Sequence, residues 1–422
     1  MQYGKEVYIV EVLQHFSFLW ESIVAFLKGV DVNQDGIVNP GALLADGTVS
    51  PDITGWKLLV MLAVGGLLIY LAIAKDFEPS LLMPMGLGAI LVNLPFSGAI
   101  GNAADGSQGI IDWLFKVGIE ASEALPLILF IGIGAMIDFG PLLSNPKMFL
   151  FGGAAQFGIF LTVAVATLLG YDFKDAASIG IIGAADGPTA ILVANVFDTP
   201  LLPAIMVAAY SYMALVPIIQ PLAIKAVTTK KERMIRMSYN PSSVSRKTRI
   251  LFPIVVTVIA GLIAPKSVSL VGMLMFGNLL RECLKLDNLS QTAQTSLANL
   301  ITIVLGLSIA ASMKAENFVK LDTIIVMALG LVAFVFDTIA GVMFAKLLNI
   351  FLPEGKKINP MVGGAGISAF PMSARVIQKM ALKEDNQNHL LMHAVGANVA
   401  GQIGSVVAGG IILTVVPKLL GA

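Results

Sequence analysis

Three features of this sequence point to an all-α membrane protein that crosses the bilayer many times. Of 422 residues, 56% are hydrophobic and only 13% charged, with a mean hydropathy of +0.85; a soluble globular chain carries about 25% charged residues. Several apolar runs approach the roughly 20 residues needed to span a hydrocarbon core. Two further apolar stretches, 174–197 and 360–380, are interrupted by glycine and proline, which break helices and leave backbone carbonyls without partners. The net charge of zero says nothing about nucleic acid, and the single cysteine, Cys283, rules out an intrachain disulfide or a thiolate cluster.

The N-terminal region is the least regular. Glu6 and Glu11 interrupt what would be the basic and apolar parts of a signal peptide. Polar residues recur at helical spacing over 7–28, which predicts a helix lying on the membrane surface. Residues 31–39 have the oxygen spacing of the first half of a calcium loop, but Ala42 stands where the closing acid belongs. A simple acidic turn is the better reading. Spans are then predicted at about 56–74, 80–94, 124–139, 147–169 and 201–228, and after a linker at about 250–264, 268–280, 292–313, 321–349 and 389–416.

Charge sets the topology. The linker carries Lys230, Lys231, Arg233, Arg236, Arg246, Lys247 and Arg249 against one acid, Glu232, and is cytoplasmic by the positive-inside rule. If each interrupted stretch re-enters its own side, Lys75, Lys147, Arg281, Lys285, Lys356, Lys357, Lys379 and Lys383 also fall inside. The acid-rich segment 31–52 and the loop with Asp105, Asp112, Glu120 and Glu123 then fall outside. The chain divides into an extracytoplasmic segment (1–54), a first membrane repeat (55–228), a basic linker (229–249) and a second repeat (250–422). Each repeat has about five crossings plus one broken element, so the second is inverted relative to the first. Asn93 and Asn278, each near the end of a second span, echo one another. Inverted repeats whose broken helices meet near the midplane are the design of secondary transporters and ion pumps.

Asp186 stands alone in Gly183-Ala184-Ala185-Asp186-Gly187-Pro188-Thr189-Ala190. An isolated acid near a bilayer centre costs roughly 2.5–3.5 kcal/mol on insertion scales, so it marks a function. A carboxylate beside freed carbonyls in a dry place describes a cation site. The second broken element supplies Asn359, Ser368 and Ser373 as hard oxygens, glycines at 363, 364 and 366, and Arg375, a fixed charge able to bind a carboxylate. Tyr210 and Tyr212 lie in one final span, Asn398 and Gln402 in the other. Tyr212 serves either the carboxylate or as an interfacial anchor; Asn398 is either an oxygen ligand or helix-to-helix glue. Asp337 is a second intramembrane acid, open to a further ion site, a proton path or a structural partnership. His389 and His393 lie one turn apart without a third ligand and are not taken as a metal site. Ala311-Ser312-Met313-Lys314-Ala315 lacks the surroundings of a biotin acceptor and is rejected.

The segment around Asp186, together with Asn359-Pro360-Met361-Val362-Gly363-Gly364 and Ser368 to Arg375, resembles the beta subunit of the biotin-dependent, sodium-pumping carboxylic acid decarboxylases. That family includes the oxaloacetate, glutaconyl-CoA and methylmalonyl-CoA enzymes, and the likeness covers about 56–416. It implies Na+ as cargo and carboxybiotin on a biotin carrier protein, loaded by a carboxyltransferase alpha subunit. It further implies a small single-span subunit, a trimer of beta chains and a place in the bacterial or archaeal cytoplasmic membrane. It carries Na+ binding onto Asp186, Asn398, Asn359 and Ser368. Catalytic roles fall on Asp186, Tyr212 and Arg375, and carboxybiotin contacts on Arg375, Ser368, Asn359 and Gly363. The rival function is a stand-alone Na+/H+ antiporter or Na+-coupled solute transporter, since both designs need a midplane cation site.

Overall fold

A computed structural model describes residues 55–94, 97–101, 108–121, 123–238 and 244–421. The surface helix expected over 7–28 and the acidic turn at 31–42 lie outside the described residues. Helices α1 (Gly55–Lys75) and α2 (Pro79–Val92) precede the short α3 (Ile110–Phe115) and α4 (Ala124–Met136). The span expected over 147–169 is two helices, α5 (Phe149–Ala154) and α6 (Phe157–Leu168). The first interrupted stretch is α7 (Phe173–Gly180) and α8 (Gly187–Val196), followed by the long α9 (Leu202–Val227). Beyond the linker come α10 (Arg246–Ile263), α11 (Val268–Glu282), α12 (Ala298–Ile309) and α13 (Leu321–Phe351). The second interrupted stretch is α14 (Pro360–Gly364) and α15 (Met372–Glu384), and α16 (Leu391–Leu419) ends the chain. Six helical stretches among the described residues are long and apolar enough to cross a membrane, α1, α9, α13 and α16 among them.

Two compact units form. One contains the described residues up to Ala121 together with Ile303–Leu321. In it α1 and α2 pack as an antiparallel pair, and Asn93, just past α2, is satisfied on every side. Its amide donates to Ala89 O at 2.7 Å and Met313 O at 2.8 Å, and its oxygen accepts the Ala315 N–H at 2.7 Å. The other unit holds Ser122–Thr302 and Asp322–Ala422. Here Asn278 near the end of α11 donates to Ile137 O at 3.0 Å, as Asn93 donates to Met313 O, but its own buried oxygen has no hydrogen-bond partner among the described residues. Helices α4 and α11 approach closely because Gly134 lies against the Leu274 backbone and Gly277 against that of Ile131. Small residues at such crossings let dispersion contacts replace the hydrophobic effect that lipid does not supply.

Within this second unit both interrupted stretches are re-entrant hairpins. The Thr199 hydroxyl, just past α8, donates to Asp175 at the start of α7, so the two legs share a base. The second hairpin is rooted on the linker. Asn359 donates to the carbonyls of Arg233 and Ile235, both at 2.8 Å; Asn388, beyond the other leg, donates to the same two carbonyls at 3.1 and 3.3 Å. Between those bases runs α9, whose 26 residues span about 39 Å at about 1.5 Å per residue. The bases of the two hairpins therefore lie at opposite ends of α9. Their tips touch, since the Ser368 N–H donates to Ala184 O at 3.0 Å. Helix α13 backs both: Gly183 lies against Ala333, and Gly363 is closed by the Gly341 backbone.

Candidate ion-binding site

The turn that makes the site is local. A 3-10 turn over Ile181–Ala184 runs into Ala185, whose φ of 53° is left-handed and costs a residue bearing a Cβ roughly 1–2 kcal/mol. The chain reverses there. Asp186 follows in extended conformation as the N-cap of α8, with Pro188 in the first turn, where its missing N–H leaves nothing unsatisfied. The carboxylate thus lies at the positive end of a helix and at the point where the hairpins meet.

Its surroundings are all oxygens and amides. Asp186 is 3% exposed. Its Oδ2 accepts from Thr189 Oγ1 at 2.7 Å and Ser405 Oγ at 2.8 Å, and at 3.3 Å from Ser368 Oγ and Gln402 Nε2. Ser405 Oγ also lies 2.9 Å from Ser368 Oγ. A hydroxyl has one proton and two lone pairs, so these groups present acceptors as well as donors. Among the described residues Oδ1 has only the Thr189 N–H at 3.5 Å, too long to count for much. Among the described residues no lysine or arginine pairs with Asp186. A buried carboxylate without a cation is costly. A carboxylate ringed by hydroxyl and amide groups has the chemistry to take either a hard monovalent cation or a proton.

The residues singled out from the sequence are distributed around this centre unequally. Ser368 is in contact with Asp186. Asn398 lies on the same face of α16 as Gln402 and Ser405; its amide donates to Ile367 O at 2.7 Å, and its buried Oδ1 has no hydrogen-bond partner among the described residues. Tyr212 turns away, giving its hydroxyl to Met327 O. It is Tyr210 whose ring seats on Gly187, with a buried hydroxyl that likewise lacks a partner among the described residues. Asn359 is at the root of the second hairpin, and Gly363 is covered by α13. Arg375, in the first turn of α15, is exposed. Asp337 is 1% exposed and caps α6 from α13, its Oδ1 accepting the Ile159 N–H at 3.1 Å, with the Gly158 N–H also directed at the carboxylate. Thr189 and Ser405 had no assigned role. Their signal was spacing: Asn398, Gln402 and Ser405 recur at i, i+4 and i+7, and Thr189 is three residues past a helix-capping acid.

Residues 57–416 match the family of Na+-transporting oxaloacetate decarboxylase beta subunits. The chain belongs to that family. It is 47% identical to the methylmalonyl-CoA decarboxylase beta subunit of Propionigenium modestum, over 84% of this chain and 94% of the relative. It is 48% identical to the glutaconyl-CoA decarboxylase beta subunit of Acidaminococcus fermentans, over 86% and 94%. With the oxaloacetate decarboxylase beta chain of Klebsiella pneumoniae it shares 44% identity, over 84% and 94%. It is thus the multi-pass membrane subunit of a sodium-pumping decarboxylase, a component of a larger complex. Family membership decides between the pump and the stand-alone carrier.

Proposed function

We propose that this chain exports Na+ through the Asp186 site while it decarboxylates carboxybiotin presented from the cytoplasm by a partner biotin carrier. One observation carries the reading: a single uncompensated carboxylate, ringed by hydroxyl and amide groups, at the touching tips of hairpins whose bases lie at opposite ends of α9. Asp186 Oδ1, Ser368, Asn398 Oδ1 and Ser405 form the ligand set for the ion. Asn359 acts on the ion from the root of its hairpin, and Gly363 on carboxybiotin through the close seat on α13 that shapes the second hairpin.

The relatives support the choice of substrate. They are named for three different acids, yet match this chain almost equally, so what they share is the chemistry this chain performs. The residues fit a carboxylated ring arriving from the cytoplasm. Arg375 has no carboxylate partner among the described residues, and lies about 14 Å deeper than Glu384 along α15. An exposed guanidinium at that depth requires water around it, which leads from the cytoplasm to the tip carrying Ser368. The bound group supplies CO2 on decarboxylation and takes up one proton. Arg375 would hold its carboxylate through a charge-assisted contact. A proton reaching Asp186 past Tyr210, with Tyr212 fixing that stretch of α9 to α13, removes the charge that holds Na+ and releases it outward; the same proton is the one taken up on decarboxylation, which returns Asp186 to its ionised form. A carboxyltransferase alpha subunit loads the carrier; a small single-span subunit and a trimer of this chain complete the complex. The paired roles of Asn93 and Asn278 support the inverted-repeat design.

Asp186→Asn tests this. In proteoliposomes containing the whole complex, Na+-dependent decarboxylation and 22Na+ uptake both fall at least 100-fold, while the purified variant keeps the wild-type melting temperature. Retained uptake removes Asp186 from the ion path.

A further inference from the structure

A cavity of about 900 Å³ opens between the linker and the end of α13. It takes no part in the site at Asp186. We propose that it seats an anionic phospholipid of the inner leaflet, with the phosphate among linker and loop lysines and an acyl chain against α13.

Three observations place a lipid there. First, α13 has 31 residues, about 46 Å of helix against a hydrocarbon core of about 30 Å. Its last turns therefore stand at headgroup depth. Secondly, Met343, Leu347 and Ile350 line the cavity at i, i+4 and i+7, and are 48%, 51% and 75% exposed. That is a lipid-facing stripe, which a water-soluble anion would leave bare. Thirdly, the polar side of the cavity bears Lys231, Arg236, Lys346 and Lys357 against Glu232 and Glu354.

The ion pairs show which charges remain for a ligand. Arg236 is engaged by Asp385 at 2.6 Å, and Lys346 by Glu232 at 3.0 Å. Among the described residues Lys357 meets only Glu354, at 3.5 Å, whose side chain is 95% exposed; such a pair is weak. Lys231 is exposed and has no carboxylate partner among the described residues. Two lysines thus face an apolar groove at the depth of the phosphates. Basic pockets beside membrane helices on the cytoplasmic face are suited to acidic headgroups. The same linker turn carries the carbonyls of Arg233 and Ile235 that root the second hairpin, so a lipid held there stiffens that root.

The test uses the purified full-length chain in phosphatidylcholine nanodiscs doped with a photoactivatable phosphatidylglycerol. Label is expected on peptides covering 231–236 and 343–357, competed by unlabelled phosphatidylglycerol but not by inorganic phosphate. The K231Q/K357Q variant should lower that labelling roughly 30-fold at about 1 kcal/mol per base, with its melting temperature unchanged. Label spread evenly over the lipid-facing helices, or equal labelling by a phosphatidylcholine probe, overturns the proposal even if the variant does not fold. Displacement by phosphate alone makes the cavity a site for free anions. A cavity left unlabelled, in which a biotin carrier protein shields Lys231 from acetylation, is a protein dock; both outcomes overturn the lipid.

Discussion

Ser405 stands 2.8 Å from the Asp186 carboxylate and 2.9 Å from the Ser368 hydroxyl, so one small side chain links both hairpins to α16. Ser405→Ala removes a hydrogen bond to a charged group, worth about 1.5–3 kcal/mol. The Na+ concentration for half-maximal decarboxylation should rise ten- to 100-fold, with the rate at saturating Na+ little changed; an unaltered Na+ dependence takes Ser405 out of the ligand set. At this scale the sequence is readable where a residue violates its surroundings. Asp186 violates the rule against charge in lipid, and so could be found. Ser405 violates nothing, because a serine among Gly and Ala looks like helix packing. Which of two nearby tyrosines faces the acid depends on the rotation of α9, about 200° between Tyr210 and Tyr212 at about 3.6 residues per turn, and periodicity alone does not fix it.

Among the elements, α6 depends on a residue from outside it. The first N–H groups of a helix have no partner of their own, and those of Gly158 and Ile159 turn to Asp337 in the apolar interior. Asp337→Leu strands both and should lower stability by about 2–4 kcal/mol, while Asp337→Asn, which keeps an acceptor, costs about half as much. Thermal unfolding in detergent reads the difference; equal melting temperatures for the Leu variant and wild type would refute the cap. The hairpins were legible from their Gly-Pro content and from the charges at their roots. The break inside the span at 147–169 was not, for its sole mark is Gln156, and its cause lies far along the chain on α13.

For the molecule as a whole, the linker acts as a fastening. Arg236 donates to both oxygens of Asp385, at 2.6 and 3.0 Å, and Arg233 to Glu384 at 2.8 Å. The Arg236 hydrogen bonds hold the Asp385 carboxyl below its usual range, helped by the Gln387 N–H. A carboxylate depressed on folding contributes stability that is whole above its unfolded value, about 3.9, and lost as pH falls through the folded one. The fastening should therefore stay shut at pH 5–7 and loosen below about pH 4, seen as pepsin cleavage within the linker. Arg236→Gln should bring that cleavage on at higher pH. Charge asymmetry along the chain made the linker legible. The association of residues up to Ala121 with Ile303–Leu321 was hidden, because it depends on contacts such as Asn93 with Met313, made across a separation that periodicity does not encode.

The shared root of the second hairpin also fixes where the last helix begins. Asn388 is tied to the linker, so α16 sets out beside it, and its 29 residues reach about 43 Å, long enough to traverse a bilayer once. Lys418 therefore stands at the end of α16 remote from the linker. The helix is thus a continuous strut from the linker to that remote end, carrying Gln402 and Ser405 past the meeting point of both hairpins.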